Sequence, residues 1–473
     1  MYIPPLHPRE AEVPEPDALD AAARAARAYL ATLPTRPVRA AATLDELRAA
    51  LGGPLPEHGR EAAQVVSELA RAADGGIVAS AGPRYFGFVI GGSLPAALGA
   101  DWLTTAWDQN AGIYATSPAA AVAEEVAAGW LLELLDLPRT AGVGFVTGGQ
   151  MANTTCLAAA RHGVLRRAGW DVEERGLYGA PEIAVIVGAE AHVTIFAALR
   201  QLGLGAARVR TVPVDGQGRI RADGVREALA RGTGPAIVCA QAGNVNTGAF
   251  DPLEEIVAAA RPRGAWVHVD SAFGLWAAAS PAHRALLAGA ARCDSWATDA
   301  HKWLNVPYDS GLAIVADSAA HRAAFTASAA YLEKARDERR DPNDWTPEFS
   351  RRARGFAVYA ALRSLGREGV AALVDRCCAH ARAMAERLRA SGVEILNDVV
   401  LNQVLARFAP PGGGDADAFT RGVVERVQQG GTCWLSGTTW QGRAAMRVSV
   451  SGWNTTAADV ERSAEAILRA ARG

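Results

Sequence analysis

Lysine is scarce in this chain. Of 48 Lys and Arg residues only two, Lys302 and Lys334, are lysines. A sequence that writes nearly every cation as Arg does not need an amine for surface charge. An amine does what a guanidinium cannot: it deprotonates within reach of neutral pH and condenses with a carbonyl. Lys302 follows His301, just beyond an apolar run, in Ser295-Trp-Ala-Thr-Asp-Ala-His-Lys-Trp303. It is therefore a candidate Schiff-base lysine, although on position alone a surface lysine that escaped the Arg bias is an equal reading.

Three further stretches carry groups suited to such chemistry. Thr147-Gly-Gly-Gln-Met-Ala-Asn153 follows an apolar run and opens a helix. Free N–H groups at a helix start, with glycines allowing close approach, attract anions. The Gly-Lys-Ser/Thr ending of a P-loop is missing, and alone the stretch reads more readily as a tight turn. His268-Val-Asp270 closes a second apolar run. A carboxylate there is costly to bury without a partner, and one good partner is a protonated ring nitrogen. A helix cap or a structural ion pair explains it equally well. His192, in Glu190-Ala-His-Val-Thr194, lies at a third such end, where a lone histidine is more often structural than catalytic.

The elements that must position these groups are legible from periodicity. Short apolar runs at 142–146, 182–187, 209–214, 236–239, 266–269, 295–298 and 312–315 alternate with helical stretches such as 153–168 and 253–260. That pattern predicts an α/β fold with a mostly parallel sheet covered on both faces. In such sheets ligands bind at the carboxyl ends of the strands, where the groups above fall. Residues 1–75 read as a helical arm with Pro-rich joints and a capping-type helix start at Thr43. The arm has too few large apolar residues for a core of its own and is expected to pack on something else, such as a second subunit. Residues 76–350 form the large domain, with helices at 94–107 and 119–135. The polar stretch 318–350 reads as a long exposed loop. Residues 351–473 form a small α/β domain with helices at 353–365, 370–390 and 457–471 and strands at 401–408 and 445–450.

Composition narrows the function classes. Half the residues are hydrophobic, 21% are charged, and the net charge is −2, so neither nucleic acid nor a membrane surface is an expected partner. No uninterrupted apolar segment reaches membrane-spanning length, and the N-terminus predicts no secretory leader. The six cysteines lack metal-ligand spacing, and the vicinal pair Cys377-Cys378 is a poor disulfide candidate. Free thiols in a reducing cytoplasm are the expectation, with no metal site.

Taken in order, an anion turn, His192, Asp270 and His301-Lys302 lie at the carboxyl ends of one sheet. This resembles the pyridoxal-phosphate enzymes of fold type I, and more closely the group II amino-acid decarboxylases acting on aromatic amino acids, glutamate or histidine. The stretches 83–92, 115–118, 147–161, 191–192, 246–252, 268–274, 301–303 and 351–354 all fall in that family's order and approximate spacing. His268-Val-Asp270 together with His301-Lys-Trp303 is the most specific part.

The resemblance implies roles. Lys302 would hold pyridoxal 5'-phosphate through its amine, and Asp270 would pair with the pyridine nitrogen. His192 would stack on one face of the ring and Ala272 would pack on the other. Gly149 and Gln150 would offer N–H groups to the phosphate, helped by His301. Asn246 would lie near the cofactor or the substrate carboxylate. Phe88, Val89, Trp107, Asn110 and Gly112 fall in pocket-lining segments. Gly112 stands where some aromatic decarboxylases carry Phe, which suggests room for a large side chain. The implied activity is decarboxylation of an L-amino acid, aromatic side chains favoured, by a homodimer with shared active sites. Oxidative deamination to an aldehyde, carbon–carbon lysis and a non-catalytic homologue are the alternatives. Two departures stand out. Many relatives place a Tyr in the loop before Arg351 to donate a proton to Cα, but 341–347 here holds none, which leaves His192 or water as the donor. Asp299 replaces a frequent Asn three residues before the lysine, and its side chain is expected to point away from a phosphate.

Overall fold

The computed structural model describes residues 17–326 and 339–473. The N-terminal stretch read for a leader, Tyr331 and Lys334 lie outside the described residues. The large sheet has seven strands, β1 Gly142–Val146, β2 Ala184–Gly188, β3 Arg210–Val212, β4 Ala236–Gln241, β5 Trp266–Asp270, β6 Ser295–Asp299 and β7 Gly311–Val315. They are ordered β1-β7-β6-β5-β4-β2-β3. Only β7 is reversed, pairing antiparallel with both β1 and β6, while the remaining pairings are parallel. The mostly parallel, two-sided sheet of fold type I is thus present.

The strands read as continuous apolar runs because both faces are covered. Successive side chains point to opposite faces, so each strand feeds two cores. Val185, Val187, Ile237 and Cys239 pack on one side against Cys156, Leu157 and Ala160. Ile186, Val238, Val267 and Val269 belong to the larger core on the other side. The first set packs on the helix α6 at Gly149–Arg167, whose alanines bring it close to the strands. Helices α4 at Pro95–Trp107 and α5 at Pro118–Leu134 lie beyond the opposite core and pack on the long helix Gly355–Ala390. Two helices were expected here, and two are present, meeting at Gly366, where φ is 61° and ψ −178°. Glycine takes the left-handed value without a Cβ penalty and makes the kink.

The N-terminal arm is α1 Ala18–Thr32, α2 Leu44–Leu51 and α3 Ala62–Ala73, with α1 and α2 packed on α3. Thr43 and Glu46 form the expected capping box. Of the residues in these three helices only Ala21 is buried, while Leu19, Leu44 and Leu69 remain exposed.

A second sheet, β8 Glu394–Ile395, β9 Gln403–Arg407, β10 Ser436–Trp440 and β11 Arg443–Ser449, is antiparallel in the order β10-β11-β9-β8. β10 escapes the sequence pattern because Ser-Gly-Thr-Thr-Trp is a polar edge strand. The helix Ala416–Gly430 on this sheet was not anticipated either.

The exposed loop expected over 318–350 is corrected in its described parts. Ser318–Ala323 is a helix, and Asp341–Asp344 and Thr346 are buried. β1 is an edge strand, and this segment covers it. Trp345 lies against Gly142, the Arg340 guanidinium donates to the Val143 carbonyl, and His321 Nε2 donates to the Trp345 carbonyl at 3.0 Å. Arg351 then enters the core, donating to Glu124 at 2.6 Å and to the carbonyls of Ala111 and Phe145 at 2.8 and 2.7 Å. Its match to the family pattern is therefore architectural. A buried pair of this kind holds the loop mainly because either partner alone would be an uncompensated buried charge.

Candidate active site

The carboxyl ends of β1, β2, β5 and β6 converge. After β1, Thr147-Gly148 leads straight into α6, whose start has no side-chain cap. The first N–H groups of a helix have no partner within it, so those of Gly149, Gln150 and Met151 face outward as an anion cradle. The turn is held from behind by β7. A Cβ on Gly311 would stand 2.5 Å from the Gly148 Cα, so only glycine fits there.

Asp299, at the end of β6, is 2% exposed and does not point away from the cradle. Its Oδ2 lies 3.2 Å from Lys302 Nζ, and its Oδ1 lies 3.6 Å from His301 Nε2. A Cβ on Gly149 would approach that same Oδ2 to 2.8 Å. The expectation ignored the local cations. A buried carboxylate turns toward the nearest ammonium, and here that ammonium is three residues along its own turn. His301 stacks on Tyr308 with centroids 4.2 Å apart, and its Nδ1 is buried without a partner. Burial holds the His301 imidazole below its ordinary pKa, against the opposing pull of Asp299.

Lys302 is buttressed by the 87–92 turn. Gly91 N–H donates to the His301 carbonyl at 3.3 Å, and a Cβ on Gly91 would meet the Lys302 carbonyl at 1.8 Å. In that turn Phe88 and Val89 both have positive φ, 52° and 57°. Strained backbone of this sort persists where surrounding contacts enforce it. Phe88 is half exposed, with its ring 5.4 Å from that of Trp434.

Asp270 ends β5 and is 6% exposed. Its Oδ2 accepts from Asn153 Nδ2 at 3.2 Å and its Oδ1 from Ala272 N–H at 3.3 Å. Among the described residues no Lys, Arg or His forms an ion pair with it. A buried carboxylate with two neutral donors and no cation suits a positively charged group. His192 caps the helix Val193–Gln201, its Nδ1 2.8 Å from Thr194 Oγ1. Burial lowers its pKa, and Lys302 and Arg447 add to the effect while Asp270 and Asp299 oppose it.

Arg447 was not anticipated. It lies in β11, is 8% exposed, and donates to the Val245 carbonyl at 3.3 Å and to Asn246 Oδ1 at 3.5 Å. Asn246 also accepts from Thr438 Oγ1 at 3.0 Å. Among the described residues the buried arginines are Arg84, Arg351 and Arg447. Arg84 pairs with Asp459 and Arg351 with Glu124, but Arg447 has no carboxylate. Desolvation alone pushes its pKa down to about 10. The signal was present in Ala444-Ala-Met-Arg-Val448, one cation inside the apolar run of the strand.

Three of the five pocket residues stand apart from this cluster, and a fourth is buried. Val89 is fully buried in the main core. Trp107 is exposed and meets Phe356 edge-on at 5.1 Å. Asn110 accepts from the backbone N–H groups of Gly112 and Arg351 at 3.1 and 3.2 Å. Gly112 offers no room for a large side chain, because a Cβ there would lie 2.3 Å from the Phe349 carbonyl oxygen. It is glycine so that two backbones can touch.

Lysine, cradle and unpaired carboxylate together define a protein built to hold an anionic, carbonyl-bearing heteroaromatic molecule at the ends of a fold type I sheet. The pyridoxal-dependent decarboxylase conserved domain matches residues 45–408, and the chain belongs to that family. An acidic amino acid decarboxylase of Bos taurus is 30% identical over 338 residues, covering 70% of this chain and 64% of the relative. The chain thus spans just under two thirds of that relative's length. Tryptophan decarboxylase 1 of Oryza sativa subsp. japonica is 29% identical over 435 residues, covering 86% and 83%. A crystal structure of Oryza sativa TDC with PLP and tryptamine superposes with a TM-score of 0.89 at 25% identity, covering 96% of this chain and 97% of that one.

Proposed function

We propose that this protein binds pyridoxal 5'-phosphate and decarboxylates an L-amino acid to the amine and CO2, with an aromatic side chain favoured. The observation that carries the reading is Asp270, a buried carboxylate lacking a cation and facing the same site as Lys302 and the open helix start. A pyridine ring protonated at nitrogen fills that need. Lys302 would hold the cofactor through its carbonyl carbon and Asp270 through its ring nitrogen. Gly149, Gln150 and His301 would take the phosphate, and His192 and Ala272 the two ring faces. When bound, the cofactor supplies the electron sink that lets the bond from Cα to the carboxylate carbon break. The matched family and the relatives above are named for decarboxylation, which gives the oxidase and lyase alternatives no added support.

Arg447 anchors the substrate carboxylate, since it is the buried guanidinium without an acid of its own. An acidic substrate would bring a second carboxylate, and the described residues hold no second buried, unpaired arginine for it. This favours a neutral side chain, and Phe88 and Trp434 offer aromatic surface. Arg447→Met is expected to raise KM for the amino acid roughly 10- to 100-fold, the worth of a charge-assisted hydrogen bond of about 1.5–3 kcal/mol. Steady-state CO2 release, with the cofactor spectrum unchanged, checks this. The reading as a whole is tested by incubating the holoenzyme with an amino-acid panel. CO2, amine, ammonia, aldehyde and oxygen uptake are followed together, and aldehyde formed with oxygen uptake would overturn simple decarboxylation.

We further propose a homodimer. Trp102, Leu103, Trp107, Val122, Phe349 and the arm residues Leu44 and Leu69 are exposed, more large apolar surface than isolated scatter explains. A second copy seated there would bring Trp107, Asn110 and Gly112 to the partner's site, as the pocket expectation requires. A gel-filtration mass of one subunit would contradict it. No described helix is long and apolar enough to cross a membrane. All six cysteines are free and buried, which supports a reducing cytoplasm.

A further inference from the structure

Asn153 lies one turn into α6 and is 1% exposed. It is the hub of a hydrogen-bond chain whose donor directions can be read without ambiguity. Its amide faces Asp270 at 3.2 Å and Thr194 Oγ1 at 3.1 Å on one side, and His268 Nε2 at 2.9 Å on the other. An ionised carboxylate only accepts, so the amide nitrogen is on the Asp270 side and the amide oxygen faces His268. His268 Nε2 must then carry the proton. Its Nδ1, 3.0 Å from Ser295 Oγ, accepts from that hydroxyl, which in turn accepts from Trp266 Nε1 at 2.8 Å. Burial pushes the His268 pKa down to about 4, in keeping with a neutral ring. Every donor from Trp266 onward points the same way, and such chains strengthen their last bond by polarisation.

The second branch runs to His192. Thr194 Oγ1 accepts from Asn153, and its own O–H points to His192 Nδ1 at 2.8 Å. The Thr194 backbone N–H also donates to that nitrogen, at 3.4 Å. A backbone N–H cannot accept, so Nδ1 is bare and the His192 proton sits on Nε2.

We propose that Asn153 and Thr194 are positioning residues that set the proton arrangement on both sides of the ring site, aiming an N–H donor at Asp270 and keeping His192 a neutral imidazole with its proton on Nε2. This rests on the reading of His192 and Asp270 as ring contacts. It has a mechanistic consequence. A neutral imidazole that surrendered its Nε2 proton would become an imidazolate, so His192 donates a hydrogen bond to its ligand and is not the acid that protonates Cα.

The test uses the apoprotein, so that it does not depend on cofactor or turnover. Histidine labelled with 15N is read by long-range 1H–15N correlation near pH 7.5 in wild type, Thr194→Ser and Thr194→Val. The His192 signal is assigned by its loss in His192→Gln. Wild type and Thr194→Ser should show His192 with a bare Nδ1 and a protonated Nε2. Thr194→Val should move His192 toward a mixture of tautomers and leave His268 fixed. A protonated Nδ1 on His192 in wild type, or a Thr194→Val spectrum identical to wild type, overturns the proposal. If the tautomers behave as stated and the protein still takes up no pyridoxal phosphate, the cofactor reading fails and the proton arrangement stands.

Discussion

Lys302→Ala is expected to abolish the visible absorbance of the cofactor-loaded protein and to lower kcat/KM by more than about three orders of magnitude, some 4 kcal/mol or more of transition-state stabilisation. The argument is chemical. No other described residue is a lysine, and no guanidinium can form a bond to a carbonyl carbon under these conditions. The loss has a structural side as well. Asp299 is 2% exposed and its Oδ2 is 3.2 Å from Lys302 Nζ, so alanine leaves a buried carboxylate with only His301 nearby. Part of any fall in stability would then come from the orphaned acid. Lys302→Arg separates the effects, because it keeps a cation beside Asp299 and removes the nucleophile. Both variants should lose the band that borohydride reduction traps in wild type. Retention of that band in either would sink the assignment of Lys302.

Asp270→Asn is expected to act differently. The covalent attachment point is intact, so the cofactor still loads and the band persists. What disappears is the charge proposed to keep the ring nitrogen protonated. Losing one partner of a buried charge pair costs about 3–5 kcal/mol, which corresponds to roughly 10²- to 10⁴-fold in kcat. The sign reverses for the apoprotein. There Asp270 is buried with two neutral donors and no cation, so the neutral amide removes a desolvation penalty that outweighs the one donor contact its NH2 group cannot accept. Apo Asp270→Asn should melt above apo wild type, and the cofactor should stabilise the variant less than it stabilises wild type. Thermal melts with and without cofactor check both statements, and a variant with wild-type kcat would refute the pairing.

The sequence and the structure agree where physics is local. Strands buried on both faces must be continuous apolar runs, so β1, β4, β5 and β6 could be placed nearly to the residue, and Lys302, Asp270 and His192 marked the ends of the chain's own punctuation. Groups whose meaning comes from distant partners were harder to read. Nothing around Asn153 says that His268, Thr194 and Asp270 will surround it. Arg447 is one arginine among many until the fold buries it without an acid. Gly112 was misread for a related reason: a missing side chain signals either empty space or a close backbone, and only the neighbouring Phe349 carbonyl decides. The 341–346 segment looks like solvent-exposed loop because its polar groups are evident and the edge strand they cover is not. Asp299 was misjudged because the expected anion was weighed and the ammonium three residues away was not.

β7 is the one strand of the large sheet that runs against the others, and its first residue, Gly311, touches the Gly148 turn. A methyl group there would move no catalytic atom directly. It would shift the turn proposed to take the phosphate. A change at Gly311 is therefore expected to be conditional: the purified variant should lose activity at scarce cofactor and recover it at abundant cofactor, while a change at Lys302 should recover at neither. The same contact means that a screen sorting mutants by rescue would place an apparently remote, core-facing glycine with the cofactor-binding residues and not with the folding defects.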